Sequence, residues 1–390
     1  MPLLSGRNSA IELVFRLLHP FLMELWKEEG FLFSGADYSR RLLELVRSAK
    51  RSVRIESYIF ELDERGRELL DELGRAGERG VKVRLIVDAI GSPQWWRPDF
   101  LALLKRHVRM RVFGRPRDLV REAFRLMLRG RIVRAWNTLR KFQLRDHRKV
   151  AIFDAEVGLV GSANIGMHFD EWRETAVELR GPGVAALKAS FVRSWRFAAR
   201  ERVPGGESEP RCPEVRSNFT PAERRRVNRQ FVASVRATER RLWITTAYFH
   251  PRPKLLLALS HALKNGVDVR ILVPRHSDIS WFPWLSRTAF AGLMARGARV
   301  FEYDGAMLHA KTTLFDRTAL VGSRNMNYRS FMHDLELDVE LDSEVAVGTL
   351  ERQFEEDCRR SVELTRAAIR HLQPLAYLVS LGLTPLKRWL

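Results

Sequence analysis

Cysteine is nearly missing from this 390-residue chain: only Cys212 and Cys358 are present, far apart and without a CxxC or a clustered histidine. That argues against a disulfide framework or a structural zinc site, and a reducing cytosol is the simpler home. Acid is scarce too, 47 Asp and Glu against 67 Lys and Arg, giving a net charge of +20 and a pI near 10.7. A chain this basic is drawn to polyanions; nucleic acid and an anionic membrane surface both qualify, and charge alone chooses neither. No uncharged apolar run reaches 18 residues, so no bilayer-spanning helix is expected. The first residues lack a basic run followed by an apolar core and a small-residue cleavage site, so no secretory signal is expected either.

What the chain does have is an internal repeat. GVKVRLIVDAIGSPQWW from Gly80 matches GVDVRILVPRHSDISWF from Gly266, an offset of 186 residues. Upstream of each lies a strand-like run, RSVRIESYIF or RRLWITTAYF, and an amphipathic helix; downstream come HRKVAIFD with GLVGSAN, and HAKTTLFD with ALVGSRN. Each half reads as strand, helix, strand, helix, then an HxK strand and a GS strand. The Val, Ile and Leu runs are too apolar for one-sided exposure, which predicts an α/β fold of two similar half-domains about a pseudo-twofold axis. Residues 202–222, rich in Pro, Gly and Glu, read as a linker between a first half over 31–201 and a second over 223–345. Apolar segments at 1–30 and 346–390 read as flanking helical elements.

From His147 to His309 the offset is 162, so the first half holds 24 extra residues, near 115–141. That stretch is strongly basic. Leu119, Val120, Ala123, Phe124, Met127 and Leu128 recur at helical spacing, with Arg117, Arg121, Arg125 and Arg129 on another face, the design of a helix lying on an anionic bilayer. An ordinary surface helix shows the same periodicity. Trp95 and Trp96 in one repeat align with Trp281 and Phe282 in the other, with Trp284 nearby. Tryptophan in loops beside an α/β site suits a lipid headgroup interface; packing beneath the loops is the alternative.

HxK alone is a weak pattern, but here it comes twice with the same companions. His147 is followed by Lys149, Asp154, Gly161, Ser162 and Asn164; His309 by Lys311, Asp316, Gly322, Ser323 and Asn325. Glu174 and Glu336 each follow their histidine by 27 residues. Residues two apart in a strand share a face, so each histidine projects with its lysine. Converged about a pseudo-twofold axis, two lysines with Ser162, Asn164, Ser323 and Asn325 form a phosphate site that stabilises transferring charge without a metal. One histidine has to be neutral to attack and the other protonated to neutralise the leaving oxygen, each oriented by a carboxylate such as Glu174 or Glu336. Asp154 and Asp316 complete the motifs, although their odd-numbered spacing from the lysines suits the fold and its turn better than the reaction.

The doubled HxK(x4)D with trailing GSxN resembles the phospholipase D superfamily over nearly the whole chain. Within it, ESYIF at Glu56, RGVKVRLIVDAIGS, LRDHRKVAIFD, LHAKTTLFD and NMNYRS are similar to bacterial cardiolipin synthases, in the shorter branch without an amino-terminal membrane-spanning pair. Two positions depart from that pattern, Asn327 where Asp is usual and Asp334 where Asn is usual. The resemblance implies a metal-independent, cofactor-free phosphatidyltransferase acting through a covalent phosphohistidine, with His147 as nucleophile and His309 as acid and then base. The residues themselves leave that order open. It also implies phospholipid substrates, phosphatidylglycerol and also phosphatidylethanolamine as a donor, some phospholipase D hydrolysis, and peripheral attachment at the cytoplasmic face of the cell membrane. A DNA phosphodiesterase with the same site is the main competing expectation, with nucleic acid disfavoured by the lipid-like features; an inactive lipid-binding scaffold is disfavoured by two intact motifs.

Overall fold

The computed structural model describes residues 25–97, 104, 106–140, 143–199 and 212–369. The first half is a seven-stranded sheet: β1 (Glu28–Ser34), β2 (Ser52–Ser57), β3 (Lys82–Asp88), β4 (Val108–Phe113), β5 (Val150–Phe153), β6 (Val157–Gly161) and β7 (Arg173–Arg180), in the order β1-β7-β6-β5-β2-β3-β4. The second half holds β8 (Val215–Ser217), β9 (Arg241–Thr245), β10 (Asp268–Pro274), β11 (Arg299–Tyr303), β12 (Thr312–Leu314), β13 (Ala319–Gly322), β14 (Leu337–Leu341) and β15 (Ser361–Glu363), in the order β15-β11-β10-β9-β12-β13-β14-β8. Six strands repeat. β2, β3 and β4 run parallel like β9, β10 and β11, and the HxK and GS strands β5 and β6 add antiparallel like β12 and β13.

Period-two alternation decides what each strand contributes. In β5, Val150 and Ile152 face a core shared with the second half, while Ala151 and Phe153 face the first half's own core. β13 does the same, with Ala319 and Val321 in the shared core and Leu320 in the second half's own. Both faces are covered, and this is why these strands read as unbroken apolar runs. The halves are therefore joined through their sheets, and that junction sets up the site.

Several boundaries differ from the sequence reading. The predicted linker already carries β8 at residues 215–217, a strand too short to show periodicity, which pairs with β14 and covers its edge. The second half does not stop at 345: the helix Glu344–Arg359 leads into β15, which pairs with β11. Residues 1–24, 200–211 and 370–390 lie outside the described residues, and with them most of the predicted flanking segments. The 24-residue insertion forms two helices, Pro116–Leu128 and Ile132–Arg140. No helix among the described residues is long and apolar enough to cross a membrane.

Candidate active site

The two histidines meet at the junction of the halves because the segments carrying them pair across it. The backbone N–H of His147 donates to Leu335 O at 3.0 Å and that of His309 to Arg173 O at 2.8 Å, each histidine lying beside the residue that precedes the other half's glutamate. The pairing of histidine with carboxylate is consequently crossed: His147 Nδ1 lies 3.1 Å from Glu336 Oε2, and His309 Nδ1 lies 2.7 Å from Glu174 Oε1. Both HxK pairs sit in the extended lead-in to β5 and β12, not inside the strands. Lys149 Nζ donates to His147 O at 2.8 Å and Lys311 Nζ to His309 O at 2.5 Å, which holds each buried ammonium beside its histidine.

Ser162 and Ser323 are predicted phosphate donors, and here the structure corrects the sequence. Both are fully buried, Ser162 Oγ donating to Glu174 Oε2 and Ser323 Oγ donating to Glu336 Oε2. They position the carboxylates that orient the rings. The glycine before each serine lets this happen: a Cβ at Gly161 would stand 2.4 Å from Thr175 O, and one at Gly322 would stand 2.4 Å from Leu337 O. Asn164 and Asn325 line the cavity between the histidines.

Asp154 and Asp316 are a second correction. Asp154 accepts backbone N–H bonds from Lys50, Arg51 and Ser52 at 2.9, 2.6 and 2.8 Å, and Asp316 from Glu239, Arg240 and Arg241 at 2.8, 2.9 and 2.9 Å. Five residues beyond its lysine along an extended chain, each carboxylate is roughly 16 Å from the chemistry, and it fastens the chain entering β2 or β9. Asp154 also takes a left-handed φ of 54° in the tight turn between β5 and β6, a conformation Asp tolerates well.

The cavity between the histidines has a volume of about 430 Å³. Tyr58 packs against the His147 ring with centroids 4.9 Å apart, and Trp172 against His309 at 5.1 Å; neither was picked out from the sequence. Of the predicted lipid-contact aromatics, Trp281 and the buried Phe282 line this cavity, and Trp284 stacks under the Arg287 guanidinium at 4.9 Å. Trp95 touches no lipid: it is fully buried, packs on Phe60 and donates its indole N–H to Phe60 O at 2.9 Å. The side chains of Trp96 and Arg117 lie outside the described ones. Phe124, Met127, Arg121, Arg125 and Arg129 stand exposed on the insertion.

Burial dominates the electrostatics, with an asymmetry between the two sides. It pushes the His147 imidazole well below its usual range, helped by the Lys149 ammonium. His309 is also lowered by burial, but the Glu174 carboxylate beside it works in the opposite direction. Burial alone would raise Glu174, yet His309, Lys311 and the Ser162 hydroxyl outweigh it and keep the carboxyl below its ordinary value. Glu336, by contrast, is raised by burial. Lys149 is pushed down to about 8 and Lys311 well below the usual lysine value, each by burial first, as expected where cations share a site that wants an anion.

Supporting charges were also missed. The fully buried Arg148 bridges Glu56 at 2.9 Å and Asp146 at 3.0 Å, and Arg324 pairs with Asp338 at 2.8 Å. Both arginines stand next to site residues and face away from the site, so they fix its backbone. The unusual Asn327 serves as a helix cap, its Oδ1 accepting from Ser330 N–H at 3.0 Å, and the unusual Asp334 lines the cavity paired with Arg329 at 2.6 Å.

A crossed pair of histidine–carboxylate couples with two buried lysines, set between two α/β halves, is the constellation of a phospholipase D-type enzyme. A family model described as cardiolipin synthase, PLD-like domain, matches residues 42–195 and 232–358, and the chain belongs to that family. It is 31% identical over 377 residues to cardiolipin synthase A of Pseudomonas aeruginosa, covering 91% of this chain and 72% of that protein. It is 30% identical over 358 residues to a cardiolipin synthase of Listeria monocytogenes, covering 87% and 70%. In fold it is similar to the crystal structure of phosphatidylserine synthase from Haemophilus influenzae, with a TM-score of 0.70, 15% identity, and 94% of this chain and 95% of that one covered.

Proposed function

We propose that this enzyme makes cardiolipin, transferring a phosphatidyl group to phosphatidylglycerol through a phosphohistidine formed on His147. The family match over residues 42–195 and 232–358 supports the reaction, and the inequality of the two couples supports His147 as the nucleophile. Glu174, held below its ordinary pKa, faces His309 at 2.7 Å and favours an imidazolium there; His147, lowered further, stays neutral. With its Nδ1–H donated to Glu336, His147 presents the Nε2 lone pair to phosphorus.

In the first step His147 Nε2 bonds to the donor phosphorus as the ester bond to the head-group alcohol breaks. His309 gives that oxygen its proton and glycerol, or another head-group alcohol, departs. In the second step His309 takes the proton from a hydroxyl of phosphatidylglycerol, the oxygen attacks phosphorus and the P–N bond breaks. Lys149 and Lys311 balance charge on the phosphoryl oxygens in both steps. Water in place of the acceptor gives phospholipase D hydrolysis. Because both substrates are bilayer lipids, the enzyme works at a membrane surface, and we assign it to the cytoplasmic face.

The test is to incubate the purified protein with phosphatidylglycerol, with phosphatidylethanolamine plus phosphatidylglycerol, and with DNA, and identify products by mass spectrometry. Cardiolipin with released glycerol is expected, together with an acid-labile adduct on the peptide bearing His147. Nicked DNA without any lipid product would assign the site to a nuclease instead.

A further inference from the structure

Of the twelve large apolar side chains exposed among the described residues, seven fall between Val120 and Trp136, on the inserted helix pair. The sequence places Leu119, Val120, Ala123, Phe124, Met127 and Leu128 on one apolar face, but the structure divides them. Leu119 and Ala123, with Ala135 and Thr138 of the second helix, are buried inward; Phe124 is 60% exposed and Leu128 72%, and from the second helix Val133 is 74% and Trp136 59% exposed. A monomeric soluble surface rarely gathers so much apolar area in one place.

The turn between the helices is built, not slack. Gly130, at φ 68°, donates to Met127 O at 2.9 Å, and Arg131 donates to Leu126 O at 2.8 Å, the two bonds of a glycine-closed helix end. The outer apolar residues of both helices are thus held on one rigid hairpin. Arg121, Arg125, Arg129, Arg131 and Arg134 stand exposed among them, while Asp118 and Glu122 are the only acids in residues 115–141. The second half reaches His309 with no such element, so the half-domain fold does not require it.

We propose that this hairpin is the membrane-docking element of the enzyme and that its occupant is the surface of an anionic phospholipid bilayer. Apolar side chains enter the region between headgroups and acyl chains, and the interleaved arginines meet lipid phosphates; a partner that buried only the apolar part would leave five cations to desolvate. The hairpin is also close in sequence to the cavity. Arg140 ends its second helix, Gln143 O accepts from Arg329 at 3.1 Å, and Arg145 lines the cavity wall.

The full chain is tested by flotation with phosphatidylglycerol vesicles and with phosphatidylcholine vesicles, using the inactive His309→Ala protein so that turnover does not change the lipid. That protein should bind the anionic vesicles well and the zwitterionic ones poorly. Val133→Ser with Trp136→Ser should weaken binding about tenfold at any salt concentration, and Arg121→Gln, Arg125→Gln and Arg129→Gln together should weaken it chiefly at low salt. In the active enzyme these changes should spare hydrolysis of a short-chain, water-soluble phosphodiester. Unchanged flotation of both variants overturns the proposal. So does a serine variant whose sedimentation shows a lost dimer, which would make the face a contact between copies, or one whose unfolding temperature drops by several degrees, which would make it the seat of another segment of this chain. Vesicle binding by the active enzyme without cardiolipin formation would leave docking intact and refute the proposed reaction.

Discussion

His147 Nδ1 stands 3.1 Å from Glu336 Oε2, although the two residues are 189 positions apart and belong to different halves. The mirror couple, His309 with Glu174, crosses in the opposite direction over 135 positions at 2.7 Å. Neither half contains a complete histidine–carboxylate couple, so duplication of the half-domain produced one site and not two.

One shared site requires both histidines. His147→Ala and His309→Ala should each reduce transfer by at least about a thousandfold, since one removes the nucleophile and the other the proton carrier. The proteins should remain folded by circular dichroism. Near-normal product from either variant, measured by mass spectrometry, would refute the single-site arrangement.

The couples also set the pH dependence. His147 has to be deprotonated, so activity falls as pH drops below its value, which burial holds well under the ordinary one. His309 has to be protonated, so activity falls as pH rises through its value, also lowered by burial but supported by Glu174. The kcat/KM profile should be a bell centred on the acidic side of 6.5, the ordinary histidine value. Glu174→Gln removes the charge that favours the imidazolium and should move the alkaline limb to lower pH. An unmoved limb would show that Glu174 only positions the ring.

Asp154 illustrates how a motif residue can serve the fold. Its three backbone hydrogen bonds hold the chain entering β2. They lower the carboxyl below its ordinary value against the opposing effect of burial. Its stabilisation is therefore present above the unfolded-state pKa and is lost as pH falls through the depressed one. Asp154→Ala should cost about 2 kcal/mol, a charged acceptor's bonds partly replaced by water, while kcat of the folded fraction stays within about twofold. Chemical denaturation at pH 7 and pH 3 checks both parts; unchanged stability with lost turnover would return Asp154 to the reaction.

The repeat, the α/β halves and the converging His, Lys and Asn residues were legible because duplication writes the same spacing twice. Position within the motif was less legible. HxK predicts a shared strand face, but His147 and Lys149 precede β5, where the backbone bonds to the other half, and no local pattern encodes that partner. Ser162 looked like a phosphate donor because a hydroxyl two residues from Asn164 has the right chemistry; only the approach of Thr175 and Glu174 to it shows where the hydroxyl goes. Trp95 misled for the opposite reason. Its alignment with the cavity residue Trp281 is real, but Phe60 supplies a buried carbonyl for its indole, and the ring packs inward. The aromatic wall Trp172 carried no repeat signal, since the second half has Asp334 at the corresponding position; Tyr58 has a counterpart in Tyr248, 6.4 Å from the His309 ring, but it is displaced by one residue in the repeat.

The lysines yield the last prediction. Burial pushes Lys149 to about 8 and Lys311 well below the usual lysine value in the ligand-free site, so their positive charge is most complete in acid and drains away as pH rises. An anion held between them reverses part of that shift, because it favours the charged form of each. Inorganic phosphate should therefore inhibit less strongly as pH passes above about 8, and Lys149→Arg, whose guanidinium stays charged, should flatten that dependence even though its geometry lowers kcat. Lys149→Ala should lose ~3 to 4 kcal/mol of transition-state stabilisation, the scale of one oxyanion donor. Since the ammonium groups supply the charge that a metal would otherwise provide, EDTA should leave turnover unchanged in the wild type. Phosphate inhibition that keeps its pH slope in Lys149→Arg, or turnover lost to EDTA and restored by a divalent ion, would show that something other than the lysines holds the phosphoryl group.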